Sequence, residues 1–448
     1  MEILLIAPRM GLRPMDSEFK RRMSPSLALP ILAALTPPAH RVTIRDENVG
    51  DLTFAETPDL VGLSVDVTTA PRAYAIAAAW RQRGIPVILG GTHPSACPDE
   101  AGRHADAVCV GEAEEVWPAI LADAQGGRLR ARYQGPGAAD PALIPAPALH
   151  LLDRQQYLYV NHLMATRGCP HSCDFCYNSG PHVTRGFRPR PLDRILAEIE
   201  RLDTRQVLFV DDNLAGDPDW TRQLAQALYP RGLTWHAAVS ADIVDRPGLL
   251  DAMAASGCRS LFIGLESLNP ASLAAVDKRQ NRRDTYARLV RLLHERDIML
   301  NASLVLGLDH DGPDVFRTTA DWLIAHRVET MTAHILTPYP GTRLFHKMEA
   351  EGRILERDWA RYDTSHVVFR PRHLSPEELR RGYLGLYEEF YSLTSILRRL
   401  PRVGPRRLPF LVFNLAYRKW GSWLAPLASR GRMALAGRLW RRLSYHIE

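Results

Sequence analysis

Short apolar runs separated by amphipathic stretches fill the first 135 residues, and the same alternation returns between residues 162 and 369. In the first block the runs fall at 3–7, 42–45, 60–64, 87–89 and 107–110. Their length and continuous apolarity suit strands buried on both faces. Helical spacing lies between them, notably over 25–35 and 71–83. Strand and helix in alternation predict a doubly wound parallel sheet of Rossmann-like type. In the second block strands are expected at 162–166, 206–211, 235–239, 260–264, 299–305 and 330–336. Helices are expected at 191–201, 219–229, 247–254, 282–296 and 314–326. Six strands with intervening helices predict an open (βα)6 partial barrel of TIM type. The chain is therefore α/β throughout these two blocks.

Between the blocks, residues 135–148 are dense in Gly, Pro and Ala and read as an extended linker. Past the barrel, Ser375-Pro-Glu-Glu378 carries a helix-capping pattern. Tyr383, Leu386, Tyr387, Phe390 and Tyr391 follow at helical spacing. That stripe is either a packed core face or a lid touching a ligand. The expected division is 1–135, a linker at 136–160, the barrel at 161–372 and a helical, basic extension at 373–448. A chain of 448 residues is long for one core and accommodates this division.

The formal charge of +6 is concentrated at one end. Residues 397–448 hold twelve Arg and Lys against one acid, so the first 396 residues carry −5 (+6 less +11). A mildly acidic body argues against nucleic acid as a partner. The extension interleaves its positive charge with apolar and aromatic residues, among them Trp420, Trp423 and Trp440. This pattern suits either an interfacial helix on anionic lipid or a helix packed on the barrel. The N-terminus reads as a strand rather than a secretory signal. A cytoplasmic setting, possible peripheral contact with the inner membrane face and reduced thiols are therefore expected.

Half of the six cysteines fall within eight residues, in Thr166-Arg-Gly-Cys169-Pro-His-Ser-Cys173-Asp-Phe-Cys176-Tyr-Asn178. Three thiolates can hold three irons of a [4Fe–4S] cluster and leave the fourth iron open. Zinc is the alternative, with His162, His171 or His182 as a further ligand. Cys97, Cys109 and Cys258 lack ligand spacing and read as buried small hydrophobes. Polar residues recur where the barrel strands end: Asp211-Asp212-Asn213, Ser240-Ala-Asp242, Gly264-Leu-Glu266-Ser267, Gly307-Leu-Asp309 and Thr337–Thr342. In parallel barrels that end carries the chemistry. In the first block the strand ends are Ser64, Gly90-Gly91-Thr92-His93-Pro94 and Gly111-Glu112-Ala113-Glu114.

The Cys-x3-Cys-x2-Cys loop with Phe175 before its last cysteine resembles that of the radical S-adenosylmethionine (SAM) enzymes. The first 130 residues resemble the cobalamin-binding domain fused to many of them. That second likeness rests on Met23-Ser-Pro-Ser-Leu-Ala-Leu29, the Gly90-Gly91-Thr92-His93-Pro94 loop and the Gly111-Glu112 turn. Ala113 departs from the usual glycine. Asp46-Glu-Asn48-Val-Gly50 has Asn48 where a cobalt-ligating histidine would stand, and its glycine comes one residue early. The resemblance implies a [4Fe–4S] cluster on Cys169, Cys173 and Cys176, SAM on the open iron, and a 5′-deoxyadenosyl radical that activates a C–H bond. It implies SAM contacts from Phe175, Tyr177, Asp211, Asp212, Asn213, Ser240, Glu266, Ser267 and Gly307. Arg167 and Lys278 are the nearest bases for the SAM carboxylate, with Lys278 reading as surface charge. Cobalamin contacts are implied for Ser64, Gly90, Gly91, Thr92, Gly111 and Glu112, with cobalt lacking a protein histidine. A flavodoxin or ferredoxin would supply electrons. Methyl transfer to a small-molecule or lipid substrate, such as a polycyclic lipid or tetrapyrrole, is the expected outcome. Cyclisation or rearrangement without methyl transfer is the alternative, and a non-catalytic cluster or cobalamin carrier is the rival of another class.

Overall fold

A computed structural model describes residues 1–415 and 418, apart from 15, 17, 136, 182, 184, 185, 203, 204, 402 and 403. The first sheet holds β1 (Glu2–Ala7), β2 (Arg41–Asp46), β3 (Leu60–Ser64), β4 (Val87–Gly90), β5 (Ala107–Val110) and β6 (Arg132–Gln134). Their order is β2-β1-β3-β4-β5-β6, and every pairing is parallel. Side chains alternate across β1. Ile3 and Leu5 join Leu29, Ile44 and Trp117 on one face, while Leu4 and Ile6 join Ala73, Ile76 and Trp80 on the other. Both faces are thus dry, which is why the strands read as unbroken apolar runs rather than as alternating ones. The edge strand β6 escapes the sequence pattern because only its middle residue, Tyr133, is buried.

The second block begins differently from expectation. The strand expected at 162–166 is split into β7 (His162–Leu163) and β8 (Thr166–Arg167). β8 leaves the barrel to pair antiparallel with β9 (Arg188–Pro189). Asp211 causes the break, because its carboxylate takes the backbone N–H groups of Ala165 and Thr166 that a continuing strand would have used. The barrel continues with β10 (Gln206–Phe209), β11 (Thr234–Ser240), β12 (Cys258–Glu266), β13 (Met299–Leu306) and β14 (Thr330–Ile335). The order β14-β13-β12-β11-β10-β7 is fully parallel. Leu300, Ala302 and Leu304 of β13 pack outward under the helices. Asn301 lines the lumen together with Phe262 of β12 and Thr332 and His334 of β14.

The segment expected as a linker is extended but packed. Ile144 is buried, the Ala148 N–H bonds the Pro30 carbonyl, and the Tyr157 hydroxyl bonds Asp46 at 2.7 Å. The aromatic stripe after Ser375 is a core face. Helix Pro376–Phe390 opens with a complete Ser375–Glu378 capping box. The Tyr387 hydroxyl bonds both backbone groups of Ala333, at 2.9 and 3.0 Å, and that of Tyr391 does the same at Met331. β14 is the exposed edge of an open barrel, and these hydroxyls satisfy backbone groups that would otherwise be unpaired. Beyond it, the buried Arg399 donates to the carbonyls of Val328, Glu329 and Phe390. Helix Arg407–Leu415 buries Phe410 and Asn414 against the same edge. The expected membrane-facing residues from 416 onward lie outside the described residues, save Arg418. No described helix is long and apolar enough to cross a membrane.

Candidate active site

The carboxyl ends of the two sheets face each other across a cavity of about 380 Å³. One wall is the first sheet, where Ser64, Gly90, Gly91, Thr92, Gly111 and Glu112 all line it. Six residues expected to contact one cofactor thus share one surface, at the place where α/β sheets bind ligands. Gly91 has φ +113°, and a Cβ there would lie 2.5 Å from the Val65 carbonyl oxygen. Only glycine fits this turn. The opposite wall is Arg167, Tyr177, Asp211 and Asp212.

Two arginine forks close the seam between the walls. Arg167 takes Glu114 with both terminal nitrogens, one bond at 3.0 Å, and approaches Glu112 at 3.6 Å. Arg188 takes Glu112 in the same way, also with one bond at 3.0 Å. Burial pushes the Glu112 carboxyl up, but the Arg188 bond and the two guanidinium charges outweigh it and hold it below the ordinary range. Arg167 therefore joins the two sheets and is already committed to carboxylates. Asn48 is committed too. It bonds Asp46 and the Pro8 carbonyl and accepts from the Met10 N–H, and it does not line the cavity.

Asp211 is buried, with three donors on Oδ1 from Ala165 and Thr166. Its Oδ2 has no partner. Burial drives this carboxyl up to about 7 despite those donors. The Tyr177 hydroxyl donates to Asp212 at 2.6 Å. Asn213 turns away, exchanging bonds with Ser240 at 3.0 and 3.2 Å and lying 3.8 Å from the Cys169 sulfur.

The three cysteines sit on the loop after β8. Charge on Cys173 acts on both Cys169 and Cys176, so the thiols are neighbours. Their sulfurs nevertheless do not converge as ligands of one ion do. Zinc draws thiolates to about 2.3 Å, which brings them within about 4 Å of one another. Among the described residues, only His93, Cys97 and Glu100 bring three ligand atoms within 4.8 Å. Three thiols on one loop match the three-cysteine ligand set of a [4Fe–4S] cluster, whereas a structural zinc site wants a fourth ligand. Burial pushes the Cys176 thiol up to about 12, so a metal must supply the charge that makes it a thiolate. Arg343 braces the loop, bonding Asp174 at 2.7 Å and Ser172 Oγ at 2.8 Å.

Lys278 is not surface charge. Its side chain is 12% exposed and donates to Glu266 Oε1 at 2.8 Å. Burial alone would lower it, but the charges of Glu266 and Cys173 leave it above the ordinary lysine value. The ammonium lies 5.7 Å from the Phe175 ring centre. Phe175 thus belongs with Glu266 and Lys278, whereas Tyr177 faces the inter-sheet cavity. Ser267 is buried in the turn after Glu266, its hydroxyl taking the Asn269 N–H. Gly307 stands apart. A Cβ there would meet Leu379 at 2.5 Å, so its space is filled by the helix after the barrel. Sequence reading passed over Gln280, 3.4 Å from the Cys173 sulfur, and Asn281, which ties the carbonyls of Gly264 and Leu265. Their only signal was position beside Lys278, one of four lysines in the chain. Cys109 and Cys258 are buried as expected, whereas Cys97 is only half-buried and stands beside His93 and Glu100.

Residues 163–323 match the radical SAM superfamily, and residues 24–121 match the B12 binding domain. Residues 342–405 match a domain of unknown function (DUF4070). A bacteriochlorophyllide d C-12(1)-methyltransferase of Chlorobaculum tepidum is 32% identical over 391 residues, covering 84% of this chain and 85% of that one. A hopanoid C-2 methylase of Rhodopseudomonas palustris is 26% identical over 75% of this chain and 66% of its own. Two solved structures share the fold. The radical SAM methyltransferase TsrM from Kitasatospora setae, with cobalamin and a [4Fe–4S] cluster, has TM-score 0.65 at 15% identity and covers 98% of this chain and 99% of its own. The cobalamin-dependent enzyme OxsB has TM-score 0.70 at 15% identity and covers 99% of this chain and 76% of its own.

Proposed function

The chain belongs to the cobalamin-dependent radical SAM methyltransferases, and from that premise we propose that it methylates an unactivated carbon on a tetrapyrrole or a similarly flat, largely apolar ring system. The observation that carries this reading is the cavity between the facing strand ends, flanked by the loop that bears the three cysteines. When bound, the reduced cluster with SAM supplies a 5′-deoxyadenosyl radical, and the corrin supplies the methyl group.

The residues divide the work by position. Cys169, Cys173 and Cys176 would hold three irons. Glu266, with Lys278 and Ser267, would meet the polar end of SAM. Ser64, Gly90, Gly91, Thr92, Gly111 and Glu112 would seat the corrin, with no protein histidine on cobalt because Asn48 is held in its own turn. Asp211, Asp212 and Tyr177, SAM contacts by resemblance, line this same cavity and would stand close to both SAM and the corrin. The tetrapyrrole assignment leans on two relatives, 32% and 27% identical, whose names specify methylation of bacteriochlorophyllide d. Relatives named as magnesium-protoporphyrin ester cyclases are 22–24% identical, which ranks ring closure second.

The test is anaerobic incubation of the reconstituted enzyme with SAM, a reductant and a chlorin. Release of both 5′-deoxyadenosine and S-adenosylhomocysteine is expected. 5′-Deoxyadenosine without S-adenosylhomocysteine would remove methyl transfer, and absence of both products would remove the radical reading.

Two partners follow from the same reading. A one-electron donor such as flavodoxin or ferredoxin would reduce the cluster. The sequence from 416 onward, basic and rich in tryptophan, would rest on anionic lipid, each basic residue contributing about 1 kcal/mol. Flotation with anionic vesicles tests this. Equal partitioning of the full chain and a chain ending at Leu415 would sink it.

A further inference from the structure

Three side chains of metal-ligand type converge outside the inter-sheet cavity. His93, Cys97 and Glu100 each bring one ligand atom within 4.8 Å of the other two. Their spacing, four residues and then three, suits one face of a helical stretch. Two short helices after β4, Thr92–Ala96 and Pro98–Gly102, carry it. Trp359 meets this face from the other block. Its indole N–H donates to Glu100 Oε1 at 2.8 Å, and its ring stands edge-on to His93 at 5.4 Å. None of the three residues lines the inter-sheet cavity.

The hydrogen bonds in this cluster leave a lone pair free on every member. The Tyr74 hydroxyl donates to Glu100 Oε1 at 3.0 Å and lies 3.0 Å from His93 Nε2. A hydroxyl that has given its proton to the carboxylate can only accept, so Nε2 carries the imidazole proton and Nδ1 keeps its lone pair. His93 is 1% exposed, and its Nδ1 is buried without a partner. Among the described residues no hydrogen bond reaches the Cys97 sulfur or Glu100 Oε2 either. An imidazole nitrogen left unpaired in the interior costs free energy that a bound cation would recover.

The donor types select the cation. Imidazole, thiolate and carboxylate are the ligands of zinc, whereas calcium and magnesium take oxygen and avoid sulfur. Ligands of one zinc ion lie within about 4 Å of one another, so the cluster closes by about 1 Å or less. Cys97 and Glu100 are only half-buried, which leaves their side chains room to turn and lets water reach the ion.

We propose that His93, Cys97 and Glu100 bind one zinc ion, with water as the fourth ligand. The site is separate from the cysteine loop and does not depend on the substrate or on methyl transfer. His93 directly follows Gly90, Gly91 and Thr92, so the ion would tie the end of that loop to the segment bearing Trp359.

The experiment dialyses reconstituted holoenzyme against zinc chloride, desalts it and counts zinc and iron per chain by mass spectrometry. Wild-type protein should retain one zinc beside its full iron. Cys97→Ala removes a half-buried side chain, and Glu100→Gln keeps an oxygen for Tyr74 and Trp359, so both variants should fold and keep their iron. Each should bind zinc at least about tenfold more weakly, the scale on which loss of a contact at a metal site registers. Zinc should also slow alkylation of Cys97 in the wild type, since a metal-bound thiolate is shielded from the reagent. No zinc retained by the wild type, unchanged zinc affinity in either variant, or alkylation at the same rate with and without zinc would overturn the proposal. Zinc that rises only as iron falls would do so too, because it would sit on the cysteine loop.

Discussion

Lys278 Nζ donates to Glu266 Oε1 at 2.8 Å, and Glu266 meets it from a left-handed backbone, φ 62°. That conformation is rare for a residue with a side chain and is retained where the surroundings enforce it. β12 shifts register at this point, between Gly264 and Glu266. Gly264 makes the room, since a Cβ there would lie 2.2 Å from Glu266 Oε1 and 3.3 Å from Lys278 Nζ.

Lys278→Met leaves a buried carboxylate unpaired and should cost about 3–5 kcal/mol, the range for halving a buried ion pair. Gly264→Ala should displace the same pair from the other side. Denaturant midpoints of the two variants should both fall, and the double variant should lose less than the sum. Full additivity would mean that the two positions do not share this pair.

Replacing Cys169, Cys173 or Cys176 with Ala should remove the cluster and with it the brown absorbance and most of the iron. Cys109→Ala and Cys258→Ala serve as controls, since both residues are buried and neither belongs to the loop. A full iron complement in all three loop variants would contradict the assignment.

Cobalamin should stay on the protein through desalting, with the absorbance of a base-off corrin lacking a histidine ligand. Gly91→Ala, forced onto the Val65 carbonyl at φ +113°, should lose it. A spectrum with nitrogen bound below cobalt would contradict the placement of Asn48.

Asp211 gives a pH dependence opposite to that of a salt-bridged carboxylate. Its folded-state value, near 7, lies above the ordinary 3.8. Between those values the folded chain holds a proton that the unfolded chain has released. Stability from this group is therefore present below pH 4 and is lost as pH rises toward 7, on the order of 2–4 kcal/mol. Asp211→Asn keeps an oxygen for the three donors and cannot ionise. The stability of wild type relative to this variant should fall across pH 4–7, and a constant difference would show that Asp211 titrates normally.

Arg399→Ala should destabilise the protein by about 3–5 kcal/mol, because several buried carbonyls lose a charged donor together. The guanidinium-chloride midpoint reports it. A change under about 1 kcal/mol, the size of a surface substitution, would mean the helices after β14 are not held there.

The sequence by itself determined the order of the main strands and helices of both blocks, though not β6, β9 or the split of β7 from β8, and it determined the capped helix after Ser375 and the three-thiol loop. Each is a local property, written in spacing over a few residues. It also marked the strand ends that line the inter-sheet cavity, since glycines and polar residues after apolar runs are local too. The tertiary structure decided which of those groups face one another. Arg167 meets Glu114, 53 residues away, only because the two sheets dock end to end. Lys278 looked like surface charge because nothing local told that its loop folds under β12 onto Glu266. The stripe holding Tyr387 and Tyr391 read equally as core or lid, and the choice fell to β14, whose unpaired backbone needed those hydroxyls. Helical and strand periodicities fix which face of an element is apolar, but the partner of a polar side chain is set by the packing of elements distant in the chain.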